Sequence, residues 1–328
     1  LENLAVAETT REVSTLPGPA LGAGVEECWM EMDGARMRYL RTVPSHTLPA
    51  ESEGAEGSGF SVSSTRVPLI LLHGLLGYSF SWRNVLPALA PYARCYAPDA
   101  LGAGFSDRPR GIDHSMRGCA LRLLRFIEKL GIGEFDLLGT SHGGAVAMMA
   151  AAECLGVERK LRVRRLALVA PVNPYSAHGR RLAPFVGSPL GTVLFRHTVA
   201  HWRPVFSYWH ARMYGDRRRI PPDALEGYMA PLAKPGLFEH ALSIVRTWTR
   251  DLRELEAALP RLAGIPTLLM WGSADGAVYA SSAQKLKEFF PDSKLVLFPG
   301  VGHLPYEECP ADFNRELMEF LLGEELLA

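Results

Sequence analysis

The chain contains no apolar run near the roughly 18 residues that a membrane-spanning helix needs, and no surplus of charge: 35 Lys and Arg balance 35 Asp and Glu. The balance argues against a nucleic-acid partner and against electrostatic attachment to an anionic membrane. Like charges cluster only briefly, at Arg162, Arg164 and Arg165 and at Arg217 to Arg219, as on an ordinary solvated surface. Cysteine is scarce. Cys28, Cys95, Cys119, Cys154 and Cys309 are odd in number and form no CxxC pair, which excludes a disulfide framework and a paired-cysteine zinc site. Reduced thiols and a cytoplasmic setting are expected, with the periplasm as the alternative. Residues 1–24 lack both the basic stretch and the apolar core of a secretory leader, and read as a flexible arm.

What is present is a large, ordinary globular composition: 328 residues, 48% of them hydrophobic, enough for a sizeable core. From Cys28 to Val43 two alternating segments flank Asp33-Gly34, a hairpin signal. A Gly-, Ser- and Glu-rich stretch over residues 45–66 reads as a flexible loop. "VPLILLHG" (Val67 to Gly74) has the form of a strand buried on both faces. Helical and apolar segments then alternate: a helix near Ser81 to Leu89, the strand "ARCYAP", the helix "SMRGCALRLLRFIEKLG", the strand "EFDLLG", the helix "AVAMMAAAECL" and the strand "VRRLALVAP". This rhythm predicts an α/β fold, a mainly parallel sheet with helices on both faces. It stops over residues 172–262, where aromatic and helical segments replace the strands. It resumes with "IPTLLMWG", "SAQKLKEFF", "SKLVLFPG" and a final helix from Ala311. Residues 25–171 and 263–328 are thus read as one core domain interrupted by a helical insertion.

Chemistry concentrates at "FDLLGTSHGGAVAMM". A strand ending at Gly139 and turning at once into a helix strains Ser141, lifts its Oγ clear of the sheet edge and aims the helix N-terminus at whatever the hydroxyl attacks. A Cβ at Gly139 or Gly143 would collide in such a turn. Serine needs a base, and the base an orienting acid. His303, in "FPGVGHLPYEECP", follows the last strand; Asp275, in "LLMWGSADGAV", follows the one before it. Both fall at the carboxyl edge of the sheet, where Ser141 also lies. His142 adjoins the serine, and neighbouring side chains diverge, so it makes a poor base. His73 reads as a packing and hydrogen-bonding residue of its loop. The backbone N–H groups of His142 and Leu75 are the expected oxyanion donors.

Together "HGLLG", "DALGAGFSDRP", "GTSHGG", "WGSADGAV" and "GVGHLPYEECP", in this order across about Cys28 to Leu322, resemble the α/β-hydrolase superfamily, in its lid-bearing branch of bacterial carboxylesterases. The resemblance implies an eight-stranded sheet, a helical cap over residues 172–262, and Ser141, His303 and Asp275 as nucleophile, base and acid. It calls for no cofactor or metal. The expected reaction is hydrolysis of a small, apolar ester, with His73, Trp202, Tyr208 and Trp209 lining the substrate pocket. Relatives that open epoxides or displace halide carry Asp at the turn, so Ser141 counts against both. "DALGAGFSD" is read as a structural loop, with Asp107 holding it. Two alternatives keep the same residues: a carbon–carbon bond hydrolase, whose acidic substrate would need Arg83, Arg108 or Arg250, and a non-catalytic ligand sensor.

Overall fold

A computed structural model describes residues 21–43, 67–156, 160–176, 185–198 and 203–323. Most of the expected N-terminal arm, the whole 45–66 loop and Trp202 lie outside the described residues.

Eight strands form one sheet in the order β1-β2-β4-β3-β5-β6-β7-β8. They are β1 (Val25–Met32), β2 (Ala35–Thr42), β3 (Leu69–Leu72), β4 (Cys95–Pro98), β5 (Glu134–Thr140), β6 (Arg162–Val169), β7 (Thr267–Gly272) and β8 (Ser293–Phe298). Only the β1–β2 and β2–β4 pairings are antiparallel; every other pairing is parallel. The β1–β2 hairpin turns through Asp33 and Gly34, both at positive φ, as a turn matched to the twist of its strands requires. The chain leaves β3 towards β4 on one side and returns to pair β5 on the other. The carboxyl ends of β3 and β5 therefore flank a topological switch point, where open α/β sheets form a crevice.

Apolar layers cover both faces. On one, α2 (Met116–Lys129) and α3 (His142–Cys154) pack in a single cluster with residues of β3, β5 and β6. Ser115 caps α2, its Oγ accepting the Gly118 N–H, and Gly131 ends the helix at positive φ. Helix α3 is buried nearly all round, which its Ala-rich sequence permits at close range. On the other face, α1 (Leu86–Leu89) and α10 (Pro310–Leu322) cover residues of β3, β4, β6 and β7. No continuous helix spans residues 81–89. The segment forms a 3₁₀ turn, Ser79–Trp82, then the single turn α1, because Pro87 has no N–H to bond back and fits only a first helical turn. Between β6 and β7 the described residues are helical, with no strand: α4 (Pro189–Thr198), α5 (Arg203–Ala211), α6 (Ala224–Met229), α7 (Leu237–Ala258) and short 3₁₀ turns. At the end of this stretch Leu252, Leu255, Leu259 and Leu262 are buried in the same cluster as α2 and α3. Helix α8 (Ser281–Lys287) follows β7, and the single turn α9 (Pro305–Glu308) follows β8. No described helix is long and apolar enough to cross a membrane. All five cysteines are free thiols.

Candidate active site

Ser141 stands at the junction of β5 and α3 with φ 53° and ψ −122°, a conformation that L-residues reach only under strain. Neighbouring backbone holds it there. Its N–H donates to the Val169 carbonyl at 2.9 Å, and its own carbonyl accepts from Val172 at 2.9 Å and Gly144 at 3.0 Å. The glycines are required for space. A Cβ on Gly139 would lie 2.5 Å from the Gly143 carbonyl oxygen, across the turn. One on Gly143 would meet a different obstacle, the His73 and Leu72 carbonyls at the end of β3, at 2.3 and 2.5 Å.

The loops after β7 and β8 bring together the acid and base expected from sequence. His303 Nδ1 is 2.7 Å from Asp275 Oδ2, and both side chains are buried. The other oxygen, Asp275 Oδ1, accepts the N–H groups of Ala277 at 2.7 Å and Val278 at 2.9 Å, so the carboxylate cannot rotate away from the ring. His303 itself donates its backbone N–H to the Met213 carbonyl at 2.6 Å. Ser141 lies at the same sheet edge, two strands from β7, and no hydrogen bond links its Oγ to the imidazole among the described residues. Contacts of this kind often close only around substrate.

The β3 loop lies over the turn: a Cβ on Gly74 would stand 3.2 Å from Ser141 Cβ. Leu76 has φ 60°, so this loop too is strained. His73 is buried and pinned. Its Nε2 accepts the Ala100 N–H at 3.1 Å, which leaves Nδ1 protonated to donate to the Gly74 carbonyl at 2.8 Å. Burial lowers its pKa, favouring that neutral ring.

Beside the loop is a cavity of about 60 Å³, walled by His73, Leu75 and His142 near the turn and by apolar side chains such as Phe126 and Ile244 further in. Sequence reasoning missed two polar wall residues. One is Arg122, paired to Asp33 at 3.3 Å and donating to the Asp113 carbonyl at 3.0 Å. The other is His240, whose Nδ1 lies 3.1 Å from His114 Nδ1. Arg122 sits on a helix whose other positions gave a plain amphipathic pattern, so no local signal marked it. Burial holds His142 and His114 down to about 4 and His240 also well below the usual range.

The expected aromatic lining is corrected. Tyr208 and Trp209 lie on α5 at 51% and 47% exposure, packed edge-to-face on each other, and neither lines the cavity. A short helix has one inward face, and these adjacent residues do not occupy it; His210 does. None of the three arginines considered for an acidic substrate lines the cavity either. Arg83 pairs with Glu307 and Asp223, Arg108 donates to the carbonyls of Gly104, Pro231, Lys234 and Pro235, and Arg250 pairs with Asp251 and Glu254.

The "DALGAGFSD" loop is structural in its contacts. Buried Asp99 accepts from Ser79 N at 2.8 Å, Phe105 N at 3.0 Å and Arg38 Nη1 at 3.1 Å. Asp107 accepts from Arg36 N at 2.9 Å and Lys234 Nζ at 3.2 Å. Among the described residues no cluster of His, Cys, Asp and Glu could hold a metal ion.

The alpha/beta hydrolase family model matches residues 69–316. Haloalkane dehalogenase 2 of Mycobacterium tuberculosis is 29% identical over 269 residues, 78% of this chain and 88% of that protein. The 2-hydroxy-6-oxo-2,4-heptadienoate hydrolase of Pseudomonas putida is 26% identical over 266 residues, 79% of this chain and 90% of that protein. Among solved structures, a putative lipase from Acinetobacter baumannii superposes with TM-score 0.73 at 20% identity, covering 93% of this chain and 94% of that one.

Proposed function

Because this chain belongs to the alpha/beta hydrolase family, we propose that it is a serine carboxylesterase acting on small, uncharged esters. The observation that carries the reading is the Asp275–His303 hydrogen bond of 2.7 Å at the sheet edge where Ser141 is held in its strained turn. In this reading His303 Nε2 takes the Ser141 proton as Oγ attacks the ester carbonyl, and then protonates the departing alkoxide. The acyl group stays on Ser141. A water deprotonated by the same imidazole releases the acid and restores the hydroxyl. Asp275 keeps the Nδ1 proton in place and stabilises the imidazolium. The backbone N–H groups of His142 and Leu75 serve the oxyanion. No cofactor enters these steps.

The acyl group is assigned to the cavity beside His73. A water takes about 10–15 Å³ of such space, so about 60 Å³ suits a few non-hydrogen atoms, an acetyl to butyryl group. Ser141 in place of Asp disfavours halide displacement, the reaction named for the Mycobacterium relative.

Arg122 in the cavity wall, with the Pseudomonas relative, favours carbon–carbon cleavage of an acidic diketone as the second reading. Its charge is already shared with Asp33, which leaves the ester reading ahead. A series of p-nitrophenyl esters from acetate to palmitate, run beside a dienoic diketo acid, tests both. Turnover peaking at short acyl chains and lost in Ser141→Ala is expected. Turnover of the diketo acid alone would replace the first reading with the second. Slow fluorophosphonate labelling without product from either substrate would indicate a ligand sensor.

A further inference from the structure

The loop that carries His303 does not stand alone. It is stitched to Met213–Asp216, the segment leaving α5, through one buried carboxylate. Glu308 Oε2 accepts the N–H of Gly302 at 2.8 Å and that of Gly215 at 2.9 Å, while Oε1 accepts the N–H of Asp216 at 3.0 Å. Arg219 approaches Oε1 to 3.6 Å, and the Glu308 side chain is wholly buried. The two backbones it joins touch directly. A Cβ on Gly302 would lie 2.3 Å from the Met213 carbonyl oxygen, and one on Gly215 would lie 2.3 Å from that of Gly300. His303 adds its own N–H to Met213.

We propose that Glu308 is a positioning residue: it clamps the His303 loop against Met213–Asp216 and so sets where the imidazole stands relative to Ser141. The inference rests on the reading of His303 as the base. Three backbone N–H groups point at two oxygens, and only a carboxylate can accept all three. A glutamine would turn an NH₂ group towards at least one of these donors and force the loop to move. The adjacent Glu307 binds side chains instead of backbone: Arg83 at 2.8 Å and the hydroxyls of Tyr228 and of Tyr214, the latter within the same Met213–Asp216 segment, but no N–H of the His303 loop.

The test is Glu308→Gln in the full chain. Displacing a catalytic group by about 1 Å costs up to about 100-fold, so kcat should fall about 10- to 100-fold while KM stays within about twofold. The low-field Nδ1–H resonance of His303, read by ¹⁵N-histidine NMR, should shift or vanish. In a His303→Ala background the same substitution should change the residual rate by less than about twofold, since it acts through the imidazole. Glu308→Asp keeps two acceptor oxygens on a shorter stem. It should fall between wild type and Gln, and it replaces the Gln variant in every measurement if that variant does not fold. Unchanged kcat with an unchanged resonance, or an equal loss with and without His303, would overturn the proposal. Ester turnover persisting in Ser141→Ala would instead strike the functional reading, with the resonance still reporting on Glu308.

Discussion

Asp275 holds His303 with one oxygen and is itself held by two backbone N–H groups on the other, so ring and carboxylate form one rigid unit between the ends of β7 and β8. An Asn at 275 would retain the shape and present an amide to Nδ1, selecting the tautomer whose Nε2 cannot accept the serine proton. Asp275→Asn should therefore lower kcat by about 10⁴ with little change in thermal midpoint. A loss under tenfold in steady-state ester assays would remove Asp275 from its assigned role.

Ser141 has a backbone that only glycine adopts freely. Strain of this kind costs about 1–3 kcal/mol, and the added chain entropy of glycine returns part of the gain. Ser141→Gly should thus be inactive yet more stable than wild type by about 1 kcal/mol, whereas Ser141→Ala should be inactive with unchanged stability. Urea unfolding of the three proteins checks this. Equal midpoints for Gly and Ala would mean that the turn stores no strain.

Gly143 faces obstacles that cannot yield, two carbonyls of a central strand end. Gly143→Ala should cost about 1–3 kcal/mol and slow fluorophosphonate labelling of Ser141. Wild-type labelling in that variant would show that β3 and α3 can separate without moving the hydroxyl.

Acid should weaken the fold. The unfolded chain protonates His142 and His114 below about 6.5, whereas burial keeps both neutral in the folded chain down to about 4. The unfolded state therefore binds more protons between these values. The contribution of these two rings is full above about 6.5, falls as pH drops towards 4 and changes no further below that. His142→Gln should flatten part of this slope in urea titrations at several pH values. An unchanged slope would mean that His142 titrates normally.

Local signals were legible where short-range sterics dictate the backbone. The Asp33-Gly34 hairpin and the turn from Gly139 into Ser141 follow from residues within a few positions of one another, whereas the need for glycine at 143 comes from the distant end of β3. The helix expected at Ser81–Leu89 failed on an equally local rule, the missing N–H of Pro87. Aromatic richness was a poor guide to the cavity: Tyr208 and Trp209 are hydrophobic enough to line one, but which way a helix face turns depends on what packs beneath it. The roles of Arg122 and of Glu308, which stands in the quoted "GVGHLPYEECP", were not legible, because each comes from partners distant in the chain, Asp33 for one and Gly215 for the other.

By itself, then, the order of residues determined the alternation of strands and helices, the strained turn at Ser141 and the sheet edge to which Asp275 and His303 belong, since periodicity and steric exclusion act over a few residues. Which side chains meet was decided only by folding. The 2.7 Å between imidazole and carboxylate, the charge left in the cavity wall and the buried clamp at Glu308 depend on how separate loops pack together, and distances across packed loops are set by the whole core at once.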